Sequence, residues 1–232
     1  MKLTKRLIPA FAMLLVSAVL MSTASFAWFS MNDKVTVSGM SITATQTEIF
    51  LEISTEQNSG FTTSVDKTIT DVLSPIAHDE FTKVADIADP NSWYYLVGED
   101  PTQSAASEDS RTDISTLTGY VAVATYYVRA NDKTDATIYD LFVSSVTITG
   151  TNGGTSVIIA GPDGYQEFKT SAEQEITVDA AKVLVQELTD TPQAITVYVY
   201  IDGAHRDVFT NNADQLGGSV AFTMSAFPTN KK

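Results

Sequence analysis

Strict alternation over Ile195-Thr-Val197-Tyr-Val199-Tyr-Ile201 constrains this chain more than any other stretch. A period of two fits a strand with one buried face and fits no helix. The run stops at Asp202-Gly203, a pair that favours a turn. Comparable runs follow the same plan. Tyr120–Arg129 is apolar on both faces, as a central sandwich strand would be. Ile138–Phe142, Val143–Thr149, Val157–Ala160 and Val220–Ala226 are further strand candidates. Between them stand the turn signals Asn152-Gly153-Gly154, Gly161-Pro162-Asp163-Gly164 and Gly217-Gly218. Earlier come Val35-Thr-Val37, then Met40-Ser-Ile42, with a phase change at Ser38-Gly39 of the kind a bulge produces. Ile49–Ile53 follows as another short strand.

Two stretches break the pattern. Residues 54–118 are rich in Ser, Thr and Asp and carry Pro75, Pro90 and Pro101. Small apolar groups (Val72, Leu73, Ile76; Trp93–Val97) mark short elements inside this excursion. Residues 171–188 admit two readings: a short helix over Ala180–Leu188, or strands at Ile176–Val178 and Val183–Val185. No long segment after residue 30 sustains helical spacing. The expected fold is all-β, an antiparallel β-sandwich of jelly-roll type, with an inserted polar excursion and one or two short helices.

The 232 residues suffice for one large β domain, and 44% hydrophobic against 18% charged residues can fill a core. Asp and Glu total 28 against 14 Lys and Arg, a net charge of −14. Three of the bases, Lys2, Lys5 and Arg6, open the chain. Residues 28–232 therefore carry 28 acids against 11 bases, or −17. Such a surface repels phosphate backbones, so no nucleic-acid partner is expected. The chain has no cysteine, which removes disulfides, thiolate metal sites and a thiol nucleophile.

Lys2, Lys5 and Arg6 precede an apolar run from Leu7 to Met21, and Ser25-Phe26-Ala27 places small residues where a signal peptidase requires them. Cleavage is expected between Ala27 and Trp28. The rival is an uncleaved anchor over Leu7–Phe29, with Trp28 at the interface. Either way the remainder is expected outside the cytoplasm, secreted or at the surface of a bacterium, and meets a membrane only during export or through that anchor. The expected organisation is a signal peptide over 1–27, an extension and first strand over 28–45, and a sandwich domain over 46–232 with its insertion at about 54–118.

Catalytic motifs are missing. The two histidines, His78 and His205, lie in no zinc-binding pair, and no nucleophile elbow or phosphate-cradling loop is present. His78 beside Asp79 and Glu80, and His205 near Asp207, read as solvated loops rather than as a base. No enzyme and no cofactor are expected. Calcium is a minor alternative, offered by Asp86, Asp89 and Asn91, by Glu99 and Asp100, by Glu108, Asp109 and Asp113, and by Asp132 and Asp135; none matches a twelve-residue calcium loop. Trp93, Tyr94 and Tyr95 are candidate ligand contacts that could stack on a sugar, with core packing as the other reading. Tyr198 and Tyr200 share one strand face and suit an outer face or an interface.

The junction Phe26-Ala27-Trp28-Phe29-Ser30-Met-Asn-Asp33 resembles the opening of mature TasA/camelysin-family proteins. Gly217–Ala226 looks like that family's closing strand, and Val197–Gly203 like the arm before it. The likeness covers the two ends of the chain. Gly39-Met40-Ser41-Ile42 departs from the family's stretch after the first strand. The resemblance implies a jelly-roll subunit of extracellular fibres in a biofilm matrix. Its N-terminal strand would complete the sheet of the next subunit, in head-to-tail association with its own kind or a related subunit. Val35, Val37, Met40 and Ile42 are the donor residues so implied; the alternative is that they form the first strand of their own sandwich. Two further classes stay open: a monomeric adhesin or glycan-binding module centred on Trp93, and a secreted hydrolase built on two carboxylates.

Overall fold

The structure, a computed structural model, describes residues 40–44, 51–67, 73–96, 111–130, 139–150, 154–170, 176–204, 208 and 218–228. The chain is all-β. The first sheet contains β1 (Met40–Ala44), β3 (Ser64–Lys67), β8 (Tyr139–Gly150), β11 (Val183–Leu188) and β13 (Gly218–Pro228), in the order β11-β8-β13-β1-β3. The second contains β2 (Leu51–Ser54), β7 (Val121–Ala130), β9 (Thr155–Ala160), β10 (Tyr165–Lys169) and β12 (Gln193–Ile201), in the order β10-β9-β12-β7-β2. Neighbours pair antiparallel except β1 and β13, which run parallel.

Alternation places the core. Along β7, Ala122, Ala124, Tyr126, Val128 and Ala130 turn inward to meet Leu141, Val143, Phe222, Met224 and Leu184 of the first sheet. Apolar burial of this kind contributes roughly 25 cal/mol per Å² and is the main force holding two sheets face to face. The runs expected at Ile138–Phe142 and Val143–Thr149 are one strand, β8. Its register against β13 slips at Ser144: Val143 faces Met224 and Ser145 faces Thr223. The extra residue moves the inward set from Tyr139, Leu141 and Val143 to Val146 and Ile148. The Ser144 hydroxyl donates to the Thr223 carbonyl at 3.1 Å and accepts from the Ser225 hydroxyl at 3.0 Å. Of the two readings of 171–188, strand holds at Val183–Leu188.

The polar excursion is more than a surface loop. Residues 64–67 join the first sheet as β3. Beyond them come β4 (Ala77–His78), a one-turn helix α1 (Val84–Ile87), a 3-10 turn at Pro90–Ser92, β5 (Trp93–Leu96) and β6 (Arg111–Asp113). Strands β4, β5 and β6 form a small third sheet. Ile76, Phe81, Ile87, Trp93 and Ile114 pack on the outward side chains of the second sheet, Val121, Ile158, Ala160, Tyr198 and Tyr200. This explains why every residue of β9 is buried. The chain is pinned at the end of β12, where the Ile76 amide donates to the Ile201 carbonyl (2.9 Å) and the Gly203 amide donates to the Ile76 carbonyl (2.8 Å).

The turn after β9 is held by close backbone approach. A Cβ on Gly161 would lie 2.2 Å from the carbonyl oxygen of Leu184, and backbone cannot yield as a flexible side chain does. Gly161→Ala is expected to cost about 1–3 kcal/mol, read from the urea midpoint. A neutral result would mean that β11 and this turn are not in contact.

Candidate functional site

Two places combine unusual backbone or side-chain chemistry. The first is the seat of β1. Its five residues lie between β13 and β3, with Ser41, Ile42, Thr43 and Ala44 in register with Ala221, Phe222, Thr223 and Met224 on one side. On the other side Met40, Ser41, Ile42 and Thr43 face Lys67, Asp66, Val65 and Ser64. Met40 and Ile42 therefore occupy a strand of their own sheet, bonded along both edges. Val35 and Val37, Ser38-Gly39 and the junction at Ala27 and Trp28 lie outside the described residues. Beyond β1 the sheet ends at β3, a four-residue edge whose side chains alternate between exposed and half-buried and include Asp66 and Lys67. Short charged edges resist further pairing.

The second place is a buried polar cluster between the excursion and the second sheet. His78, read from sequence as part of a solvated loop, has a side chain only 3% exposed. The correction has a clear cause. His78 stacks on Phe81 at 4.2 Å and meets the edges of Trp93 (4.7 Å) and Tyr200 (5.4 Å). Its Nδ1 donates to the Asp79 carbonyl at 2.8 Å, and its Nε2 lies 2.9 Å from both Glu167 Oε1 and the Tyr200 hydroxyl. The Tyr200 hydroxyl in turn donates to Glu167. Lys169 Nζ stands 3.3 Å from Glu167 Oε1 and 3.3 Å from Asp202 Oδ2.

Charge states follow from these contacts. Burial pushes the Glu167 carboxyl upward, but hydrogen bonds from His78 and Tyr200, with attraction to His78 and Lys169, outweigh it and bring its pKa down to about 2. Burial opposes the charge on Lys169, yet Asp202 and Glu167 hold its pKa above the ordinary value. Burial drives the Tyr200 phenol well above its usual range, and the negative Glu167 and Asp202 add to the shift. The cluster is an array of opposite charges in which the Tyr200 hydroxyl, beside His78, donates to Glu167.

In the structure Trp93 takes the core-packing arrangement. It is fully buried, and its indole N–H donates to the Ile87 carbonyl at 3.0 Å, so neither ring face is open to a sugar. Tyr94 and Tyr95 are half-buried. The Arg111 guanidinium sits 4.3 Å from the Tyr94 ring centre and pairs with Asp79 at 2.8 Å. Tyr95 stacks on Tyr120. Tyr94, Arg111, Asp79, Asp86, Asn91 and Asp113 line an open polar groove of about 200 Å³.

The calcium candidates in this region are engaged locally. Asp86 accepts from the Thr82 hydroxyl at 2.7 Å, and Asp89 accepts from the backbone and side-chain nitrogens of Asn91. Among the described residues no group of three or more His, Asp or Glu is placed to hold a metal ion. Glu99, Asp100, Glu108, Asp109, Asp132, Asp135 and His205 lie outside the described residues. Glu167, Lys169 and Asp202 carried no sequence motif. The one signal was Tyr165, Glu167 and Lys169 alternating with Gln166 and Phe168, which puts two opposite charges on one strand face.

No family model matches the chain, no curated protein matches it, and no solved structure matches it. Among the described residues no helix is long and apolar enough to cross a membrane.

Proposed function

We propose that this protein is a secreted structural subunit of a fibre, at a bacterial cell surface or in a biofilm matrix, that polymerises by donating its N-terminal strand. The observation that supports this reading is the seat of β1. A segment from the start of the chain is inserted between two other strands, parallel to one and antiparallel to the other. The same five residues of a second copy would make the same backbone bonds in that seat. Exchange between copies then costs little in contacts and creates a head-to-tail interface that can propagate. The jelly-roll form of the sandwich, export through residues 1–27 and cleavage after Ala27 belong to the same proposal, as does the absence of catalysis. At −17 for residues 28–232, mutual repulsion slows association at neutral pH, and acid relieves it.

Negative-stain electron microscopy of residues 28–232, concentrated at neutral and acidic pH, tests the reading. Regular filaments are expected, earlier in acid, and deletion of residues 28–45 abolishes them. Dispersed monomers under every condition would overturn it. That outcome would favour the monomeric glycan-binding reading, with the open groove at Tyr94 and Arg111 replacing Trp93 as its site. Loss of glycan binding in Tyr94→Ala would then be the decisive result.

A further inference from the structure

We propose that Lys169 and Asp202 become joined by an intramolecular isopeptide bond, with Glu167 as the proton shuttle. Three groups converge, two on β10 and one just past β12, two strands away: Lys169 Nζ stands 3.3 Å from Asp202 Oδ2 and 3.3 Å from Glu167 Oε1. The amine is thus held against the carboxylate whose Cγ it would attack, and such holding gives an intramolecular reaction its rate advantage. Asp202 is 6% exposed, and its Oδ1 is fixed by the Ala204 amide at 3.0 Å, which aims Oδ2 at the lysine. Glu167 is fixed by His78 and Tyr200, which contact the same oxygen, Oε1, that faces Lys169. It is therefore a stationary carboxylate beside the ammonium rather than a mobile surface one, although its lowered pKa makes it a weak base that carries a proton only transiently.

The reaction balances without an outside reagent. Glu167 takes a proton from the Lys169 ammonium, and the free amine attacks Cγ of Asp202. The new N–Cγ bond forms, and the Cγ–Oδ2 bond breaks. Of the three ammonium protons one stays on the amide nitrogen and two leave with Oδ2 as water, passed through Glu167, which ends ionised as it began. A charged lysine and a charged aspartate become a neutral amide, removing the desolvation cost of a largely buried carboxylate and its partner. Both carboxylates hold Lys169 in its charged form, and its side chain is half exposed. The free amine is therefore scarce, so the bond forms slowly and once per molecule; because all three ammonium protons stay within the reacting groups, raising the pH does not speed it.

The position gives the bond a mechanical use. Lys169 ends β10, the edge of the second sheet, and Asp202 follows β12 at its centre. Lys169 and Tyr200 both face Ser156 of the intervening β9. The cross-link would tie the edge strand across β9 to the middle of the sheet, in a chain with no cysteine to form a disulfide. It would lie beside the point where Ile76 pins the excursion.

Intact-mass spectrometry of the protein as isolated, and after prolonged incubation at neutral and mildly alkaline pH, tests the bond. The expected species is one water lighter than the unlinked chain, and its tryptic digest contains a branched peptide joining Lys169 to Asp202. Asp202-Gly203 can also lose water by closing an imide on the Gly203 nitrogen, although that amide is engaged with the Ile76 carbonyl. Lys169→Arg keeps the ion pair and the imide chemistry but has no primary amine, so it separates the two. Lys169→Arg and Glu167→Gln, each verified as folded by circular dichroism, are expected to keep the unlinked mass. An unchanged wild-type mass after both incubations would overturn the proposal. So would a water loss that persists in Lys169→Arg.

Discussion

Replacing Trp93 with alanine is expected to lower the unfolding free energy by about 3–5 kcal/mol, the usual cost of emptying a large aromatic site in a packed core. The indole is fully buried, with Phe81 and Tyr200 at 5.4 and 5.1 Å between ring centres and His78 at 4.7 Å. Its removal also strands the Ile87 carbonyl, whose residue is itself fully buried and would lose its indole donor. The damage is local in the first instance, because Trp93 packs in the cluster outside the second sheet and not between the two sheets. Hydrogen exchange should therefore quicken first in β4 and β5, while the amides of β7 and β12 keep more of their protection. Urea denaturation of Trp93→Ala, followed by exchange on the same variant, reads both effects. A loss below about 1 kcal/mol would mean that the excursion is not a packed cover of the sheet.

The placement of Trp93 also shows where reading the sequence succeeds and where it stops. Alternation made Ile195–Ile201 and Val220–Ala226 legible, because each residue's direction follows from a period of two. Along β8 the same signal was present but misread. Tyr139, Leu141 and Val143 sit in odd positions and Val146 and Ile148 in even ones, and a bulge carries the pattern across without ending the strand. The excursion was harder. Its mean polarity hides Ile76, Phe81, Ile87, Trp93 and Ile114, which are too far apart to form a run and meet only because the chain turns back on the second sheet. For the same reason the sequence marks Tyr198 and Tyr200 only as an outer face or an interface, without saying that this segment is what covers it.

His78 was the sharpest correction. Next to Asp79 and Glu80 it looks solvated, and its actual partners, Glu167 and Tyr200, are remote in sequence. No local rule brings β4, β10 and β12 to one point. The seat of β1 shares this property. The repeat of Met40 and Ile42 announces a strand, but the sequence does not say that the strand runs parallel to β13. That orientation means that β1 does not reach β13 through a tight hairpin, as the proposed exchange between copies requires.

Acid should reveal the buried cluster as a difference between two proteins. Glu167 has its pKa lowered to about 2 in the folded chain, as burial is overcome by the bonds from His78 and Tyr200 and by Lys169. In an unfolded chain a glutamate titrates near 4.3. A depressed folded value means that Glu167 contributes stability that is fully present above the unfolded pKa and is lost as pH falls toward 2. With its side chain 23% exposed, the contribution at neutral pH is on the order of 2 kcal/mol. Glu167→Gln cannot ionise and lacks the charge-assisted part of both bonds, so at pH 7 it should unfold at lower urea by that amount. The gap should hold down to about pH 5 and close progressively below pH 4.5, because the wild-type carboxylate is then becoming neutral too. Taking the difference between the two proteins removes the general acid lability that 28 carboxylates impose on both. Because Glu167→Gln would also block an isopeptide bond between Lys169 and Asp202, the comparison is made in a Lys169→Arg background, where neither protein can form it and Glu167 keeps its bonds to His78 and Tyr200. Parallel stability curves from pH 7 down to pH 2 would show instead that Glu167 is not held by His78 and Tyr200, and that the clasp between excursion and sheet is apolar alone.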